Sequence, residues 1–286
     1  MNWNFWIIQT FNGVSYGALL FLVGSGLSLI FGVMRIVNLS HGSYFLLGGY
    51  VALTVIWTTG SWLLAIPVAA LTIALLGLAM ERVFLRPLGF DPLRQVLLTV
   101  GFAFLFQQAA LDIWTGNNFD INPPDALTKS IVVGGVYLPL YRVFMIGTAL
   151  AIGVVLWLAM EKTRMGAAVR ATVDDAQMAR GVGVDTSRIS MFIFALGAFL
   201  AALGGVIGGA FLGIYPGLDF EILPLAFAVV IIGGMGSLGG AAIGALLVGL
   251  ADNFGKALFP EISYFTLYAP MALILAVKPT GLFGRE

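Results

Sequence analysis

Long apolar stretches without a charged residue dominate this sequence and constrain its fold more than any other feature. Each is long enough, or nearly so, to cross a hydrocarbon core roughly 30 Å thick, which needs about 20 helical residues. These stretches are residues 6–33, 43–60, 62–80, 95–111, 143–160, 189–213 and 262–277. Only 10% of the 286 residues are charged, whereas soluble domains carry about 25%. The sequence therefore predicts an all-α, polytopic transmembrane helix bundle.

A further apolar region, residues 222–251, is interrupted by the glycine-rich run Gly233–Gly240. Non-helical backbone at membrane depth survives only where protein buries it or water lines it. The run therefore predicts a glycine-broken helix pair near the carboxyl-terminal end, formed by two short crossing helices or by a re-entrant pair. The chain then crosses the membrane seven times with a re-entrant pair, or nine times.

The basic residues predict the orientation. All but three of the 14 lie in loops that alternate to one side, namely 34–42, 81–94, 161–188 and the tail 278–286. The three others are Lys129, Arg142 and Lys256. Because cytoplasmic loops carry the excess of Lys and Arg, we expect the amino terminus outside and the carboxyl terminus in the cytoplasm.

Two loops are longer than a turn requires. Residues 112–142 form an external loop in which Ile131-Val132-Val133 favours a short β-hairpin, and residues 161–188 form the main cytoplasmic loop. No linker or low-complexity tract divides the chain, so residues 1–286 are predicted to form a single transmembrane domain.

The cytoplasmic loop contains the signals of a short helix over residues 172–180. Thr172 is placed to cap its start, with Asp175 three residues later as in a capping box. Arg180 suits its negative end, and Gly181 is predicted to take the left-handed turn that stops it. So short a helix is marginal alone in water. It either docks into a partner protein or lies on the lipid headgroups as an amphipathic connector.

Composition excludes several function classes. The predicted spans contain no Asp, Glu, Lys or Arg, which argues against a proton- or sodium-coupled carrier. One histidine and no cysteine leave little for an intramembrane enzyme or a metal site. The segment Gly249–Lys256 approaches a phosphate-binding loop, but Ala257 stands where Ser or Thr must bind magnesium, so ATP cannot be used by this chain.

Polar side chains in and after the first span are the candidates for a solute pathway. The set consists of Asn12, Ser15, Tyr16, Asn38, Ser40 and His41. Hydrogen bonding between helices explains such residues equally well. His41 is either a pH-sensitive gate or a hydrogen-bonded packing residue.

Small-xxx-small spacings predict close helix packing, within the bundle or against a partner. The glycines concerned are Gly13, Gly17, Gly204, Gly205, Gly208, Gly236, Gly240 and Gly244.

Five segments in order resemble the branched-chain amino acid permease family of ATP-binding-cassette importers, specifically its shorter membrane subunit. The segments are Phe11–Gly17, Asn38–Gly42, Gly166–Gly183, Phe194–Gly205 and Gly233–Gly240 followed by Gly244, and the tail Lys278–Gly284 extends the likeness. The resemblance implies a transport subunit of the bacterial inner membrane, not an enzyme. It also implies that the helix at 172–180 is a coupling helix.

The same resemblance implies the partners. A second homologous permease completes the pathway, two cytoplasmic ATPase subunits bind ATP and Mg²⁺, and a periplasmic binding protein delivers the solute. This chain is expected to hold no cofactor. The residues that the resemblance assigns to ATPase coupling are Arg170, Thr172, Asp174, Asp175, Ala179, Arg180, Gly181 and Gly183. The solute remains open between branched-chain or other small amino acids and, alternatively, urea or short-chain amides.

Overall fold

The computed structural model describes residues 3–89 and 91–284, so part of the predicted loop 81–94 and the end of the tail 278–286 lie outside it. The helices before the hairpin are α1 (Trp3–Met34), α2 (His41–Thr59), α3 (Trp62–Met80) and α4 (Pro92–Trp114). The strands are β1 (Ser130–Val133) and β2 (Val136–Pro139). The later helices are α5 (Leu140–Lys162), α6 (Arg164–Asp174), α7 (Ala176–Gly181), α8 (Thr186–Leu212), α9 (Leu218–Gly233), α10 (Leu238–Leu258) and α11 (Ser263–Val277).

The predicted helix bundle is confirmed. Each of the seven predicted spans corresponds to one helix, and the two sets of bounds differ by at most three residues. Within the described residues, six helices are long and apolar enough to cross a membrane: α1, α3 with its short extension to Leu88, α4, α5, α8 and α10. The agreement arises because lipid satisfies no backbone hydrogen bond, so a long apolar run has to be helical.

Helix α1 lies at the centre of the bundle and is covered by α8 and α10. Gly26 approaches the backbone of Gly197 in α8, and Gly17 approaches that of Ala245 in α10. Both neighbours run antiparallel to α1. Gly13 lies beside Leu250, further along α10 than Ala245, and Leu19 lies beside Gly208, further along α8 than Gly197. The core is therefore built on close backbone approaches, which small residues permit in a membrane.

The apolar region 222–251 is shared between α9 and α10. The chain between them, Gly234–Ser237, includes two glycines with positive φ, Gly234 and Gly236, and the Ser237 hydroxyl accepts from the Gly240 amide at 3.0 Å to begin α10. Helix α9 has 16 residues. Whether this pair crosses the membrane or re-enters it stays a prediction.

The loops sort into two ends of the bundle. At one end, which we call the α6–α7 end, Arg35, Arg170, Gly236 and Phe283 surround one cavity. The opposite hairpin end carries β1 and β2, which pair antiparallel as predicted, and Phe119 forms a further bridge to Ile214. This partition agrees with the predicted division of the loops, although it does not show which end faces the cytoplasm.

Candidate functional site

A cluster of charged and aromatic side chains lies at the hairpin end, around two of the predicted pathway residues. We call Asn12, Tyr16, Arg142, Asp252 and Lys256 the hairpin-end cluster. Arg142 donates to the Asn12 side-chain oxygen, and Lys256 is paired with Asp252 at 2.8 Å. The Lys256 ammonium lies 5.8 Å from the centre of the Tyr16 ring. Three helices, α1, α5 and α10, thus supply one polar cluster.

Aromatic rings fill the space between the two cations of this cluster. The Arg142 guanidinium lies 5.0 Å from the centre of the Phe211 ring, and that ring is 6.2 Å from the ring of Tyr16. Cation–π contacts of this kind strengthen when they are desolvated. The cluster therefore offers a positive group, a negative group and an apolar aromatic surface side by side. A zwitterion with an apolar side chain needs these three kinds of contact.

The first turn of α9 adds an acidic group, Glu221, near the cluster. Glu221 accepts a hydrogen bond of 2.9 Å from the Tyr215 hydroxyl. Burial raises the pKa of Tyr215 to about 12, and the neighbouring Glu221 contributes to the same shift. The phenol therefore stays a neutral donor at physiological pH.

The remaining predicted pathway residues form hydrogen bonds to groups outside this cluster. Ser15 donates to the carbonyl of Phe11 at 2.6 Å, within α1. Asn38 and Ser40 bond to each other at 2.7 Å, and His41 Nε2 lies 3.0 Å from the Val23 carbonyl. All three of these latter side chains are fully buried. In this chain their contacts are those of packing residues, and their part in a pathway stays a prediction.

The expectation that the spans hold no buried charge is wrong. Glu81, Asp219 and Asp252 are each at most 7% exposed, and Asp252 lies well inside α10. Asp219 begins α9 and accepts from the Ser43 hydroxyl at 3.0 Å, while its second oxygen has no partner in the described structure. The predicted spans stopped short of these residues, so an ion-coupled carrier has to be excluded on other grounds.

The coupling loop is helical, but its cap differs from the predicted one. Thr172 lies inside α6, where its hydroxyl donates to the Ala168 carbonyl. Helix α6 ends at Asp174. Asp175 caps α7 by accepting hydrogen bonds from the amides of Gln177 and Met178 at 2.8 and 2.9 Å. The predicted capping box at Thr172 is therefore wrong.

The end of the coupling helix is also displaced. Gly181 is the last residue of α7, whereas the left-handed turn is made two residues later by Gly183, with φ of 90°. The predicted left-handed position at Gly181 is wrong.

The exposed surface of α7 is apolar at two positions that the sequence did not single out. Met178 in α7 is 67% exposed, and Val182, which directly follows α7, is 74% exposed. Ala179, in contrast, is buried against the loop. The sequence did not single out these positions, because α7 is too short for hydrophobic periodicity to show which of its sides faces solvent. That side is set by how α7 packs against the rest of the chain.

A second hydrophobic core attaches α6 to the bundle. Val169 of α6 packs in it with Leu29 and Val33 of α1, Met160 of α5 and Ile193 of α8. Arg170 donates to the Met160 carbonyl and lies 3.6 Å from Glu161. Three spans therefore meet α6 in one core.

The glycines predicted to pack helices make their closest approaches within this chain. A side chain on Gly205 would meet the Phe45 carbonyl of α2, and one on Gly240 would meet the Gly233 carbonyl of α9. The others face neighbouring helices in the same way: Gly13, Gly17, Gly204, Gly208, Gly236 and Gly244.

Comparison with known proteins gives a consistent result. The family described as branched-chain amino acid transport system / permease component matches residues 9–275. The chain is 32% identical to the high-affinity branched-chain amino acid transport system permease protein LivH of Escherichia coli (strain K12), over 98% of this chain and 96% of that protein. It is 28% identical to the corresponding permease BraD of Pseudomonas aeruginosa, over 97% of this chain and 95% of that protein. The autoinducer 2 import system permease LsrC of Yersinia pestis (strain Pestoides F) is also 28% identical, over 87% of this chain and 71% of that protein.

Proposed function

Since the chain belongs to the branched-chain amino acid permease family, we propose that it is the shorter permease of an importer for branched-chain or other small amino acids. It is a multi-pass protein of the bacterial inner membrane and a transport subunit of an ATP-binding-cassette importer. Importers of this family work with ATPase subunits and a solute-binding protein. We propose one second permease, two ATPases that hold ATP and Mg²⁺, and a periplasmic binding protein as this chain's partners.

The observation that best supports an amino acid as the solute is the hairpin-end cluster. Arg142 and Lys256 offer donors to a carboxylate, and Asp252 offers an acceptor to an ammonium group. Urea and short amides carry no charge, so they would break the Lys256–Asp252 pair and the Arg142–Asn12 hydrogen bond without offering charged counterparts. Such a penalty rejects the wrong solute more effectively than a small difference in apolar contact.

Transport by the reconstituted importer tests this proposal. Proteoliposomes that hold this chain, the second permease and the ATPases, with ATP inside and the binding protein outside, should accumulate leucine and not urea or acetamide. Uptake of urea under the same conditions would favour the alternative. Leucine uptake by this chain alone, without ATP, would instead indicate a secondary carrier or channel.

The exposed apolar surface of α7 supports the coupling role. Met178 and Val182 form a protrusion that fits a groove on an ATPase subunit, while the second core attaches the neighbouring α6 to the spans. Met178→Asp should weaken association with the ATPase and leave folding intact, because the side chain is 67% exposed. Tyr137→Asp, at a 73% exposed position of the hairpin, is the matched control. Equal co-purification of the ATPase with both variants would contradict the assignment.

The orientation is proposed from the basic residues, with the amino terminus outside and the carboxyl terminus in the cytoplasm. The chain has no cysteine, so single cysteines can be introduced without a background. Arg180→Cys should react with an impermeant maleimide only after the cells are opened, and Val132→Cys should react in intact cells. The reverse pattern would overturn the orientation and, with it, the coupling role of α6 and α7.

A further inference from the structure

A cavity of about 730 Å³ opens at the α6–α7 end of the bundle and belongs to neither the hairpin-end cluster nor the exposed face of α7. Its walls come from the last turns of α1 and α5, from α6 and from the Gly234–Ser237 connection. It therefore lies where helices leave the membrane, at the depth of the phospholipid headgroups.

Charged groups of both signs line this cavity. Arg35 and Arg170 supply two guanidinium groups, and Glu161 and Asp174 supply two carboxylates. Arg170 is held by Glu161 at 3.6 Å. Arg35 projects from a backbone with φ of 54°, a conformation that non-glycine residues seldom adopt, and within the described residues it has no ion-pair partner.

Apart from Ser237 and the backbone of the glycines, the rest of the lining is apolar. Leu29 and Val33 of α1, Met160 of α5 and Leu238 of α10 form it. Trp157 stands at the edge and is 53% exposed, in the position that interfacial tryptophans occupy. At this depth, the charged rim of the cavity matches the headgroup of a phospholipid, and its apolar floor matches the acyl chains.

We propose that this cavity binds one aminophospholipid, a lipid with a phosphate diester and a primary ammonium group, of which phosphatidylethanolamine is the simplest. Arg35 and Arg170 bind the phosphate, Glu161 accepts from the ammonium, and the acyl chains lie on the apolar floor beside Trp157. An anionic lipid matches only the arginines and meets repulsion from the carboxylates. A choline headgroup has no N–H to donate to them.

Such a lipid would join α6 to the end of α1. The cavity is bounded by Val169 and Val173 of α6 on one side and by Val33 and Arg35 on the other. Its occupancy would therefore affect how firmly the coupling loop is held. This inference requires only the position of the cavity in the membrane, and it stands or falls independently of the transported solute.

Native mass spectrometry of the delipidated, assembled importer, titrated separately with phosphatidylethanolamine, phosphatidylcholine and phosphatidylglycerol, tests the proposal. We expect phosphatidylethanolamine to bind about tenfold more tightly than either of the others, since one charge-assisted pair distinguishes each lipid. Equal binding of the three lipids, or a preference for phosphatidylglycerol, overturns it. Binding of soluble phosphoethanolamine as tight as that of the lipid also overturns it, because the apolar floor would then contribute nothing.

Two variants assign the contacts. Arg35→Gln should reduce binding of every phospholipid at this site about tenfold, whereas Arg164→Gln, an exposed α6 residue outside the cavity lining, should not. Glu161→Gln should abolish the preference for phosphatidylethanolamine over phosphatidylglycerol and keep phosphate binding, with Glu261→Gln at the other end as control. If Arg164→Gln acts like Arg35→Gln, or if Glu161→Gln keeps the preference, the site is not the one proposed. Lipid binding to the isolated chain that disappears in the assembled importer would show that a partner subunit fills the cavity, and it would also refute the proposal.

Discussion

The packing of α2 against α8 allows the same substitution to be predicted with opposite effects at two glycines. A Cβ added to Gly205 in α8 would lie 1.9 Å from the carbonyl oxygen of Phe45 in α2. Real Cβ contacts essentially never fall below 3.0 Å, so the two backbones must separate by about an ångström. Gly101 in α4 has open space around the same position.

The expected free energies follow from this difference. Alanine in a helix interior is favoured over glycine by about 1 kcal/mol, so Gly101→Ala should stabilise the chain by up to that amount. Gly205→Ala gains the same propensity but forces apart a packed interface, which costs about 1–3 kcal/mol or more because backbone and not a flexible side chain is displaced. Because the propensity gain is common to both variants, they should differ by the packing cost alone, about 1–3 kcal/mol or more, with Gly205→Ala the less stable.

Thermal unfolding in detergent, followed by the fraction of monodisperse protein recovered after heating, measures the difference. Gly147→Ala in α5, another helical glycine with nothing nearby, serves as a second control and should behave like Gly101→Ala. If Gly205→Ala matched the two controls in midpoint and recovery, close backbone packing of α2 against α8 would not determine the stability of this bundle.

Three further predictions concern caps and charge. Asp175→Ala should cost α7 about 1 kcal/mol, seen as faster amide exchange over residues 176–183 and weaker coupling of ATP hydrolysis, while Thr172→Val should leave that exchange unchanged. Arg142→Gln should lower the efficiency of leucine uptake by about tenfold through the loss of a charged contact, and Lys129→Gln, at an exposed position just before β1, should not. Equal uptake by both variants would exclude Arg142 from the pathway. Ser237→Ala should destabilise the start of α10 by about 1 kcal/mol in the same unfolding assay, and an unchanged midpoint would show that the cap at Gly240 is dispensable.

Local sequence patterns were sufficient to predict the structure where one physical effect dominated. The spans followed from apolar length, and the hairpin followed from the β-branched run Ile131-Val132-Val133. The helix boundaries in the loop 161–188 were harder to predict, because Thr172 and Asp175 are both good capping residues. Val169 and Thr172 are buried, and this packing extends α6 past Thr172 and leaves Asp175 to start the next helix.

The sequence by itself determined that this chain spans a membrane as a helix bundle, how its loops divide between the two ends and, through its motifs, the family to which it belongs. Only the tertiary structure brought Arg142 to Asn12 across 130 residues and Ser43 to Asp219 across 176. The physical reason is that each span must be helical on its own, because lipid cannot satisfy its backbone hydrogen bonds. Which helices become neighbours depends instead on where glycines let two backbones approach each other. Arg142 and Asp219, near the ends of their helices, therefore gain these partners from packing, and the sequences of those helices carry no record of the contacts.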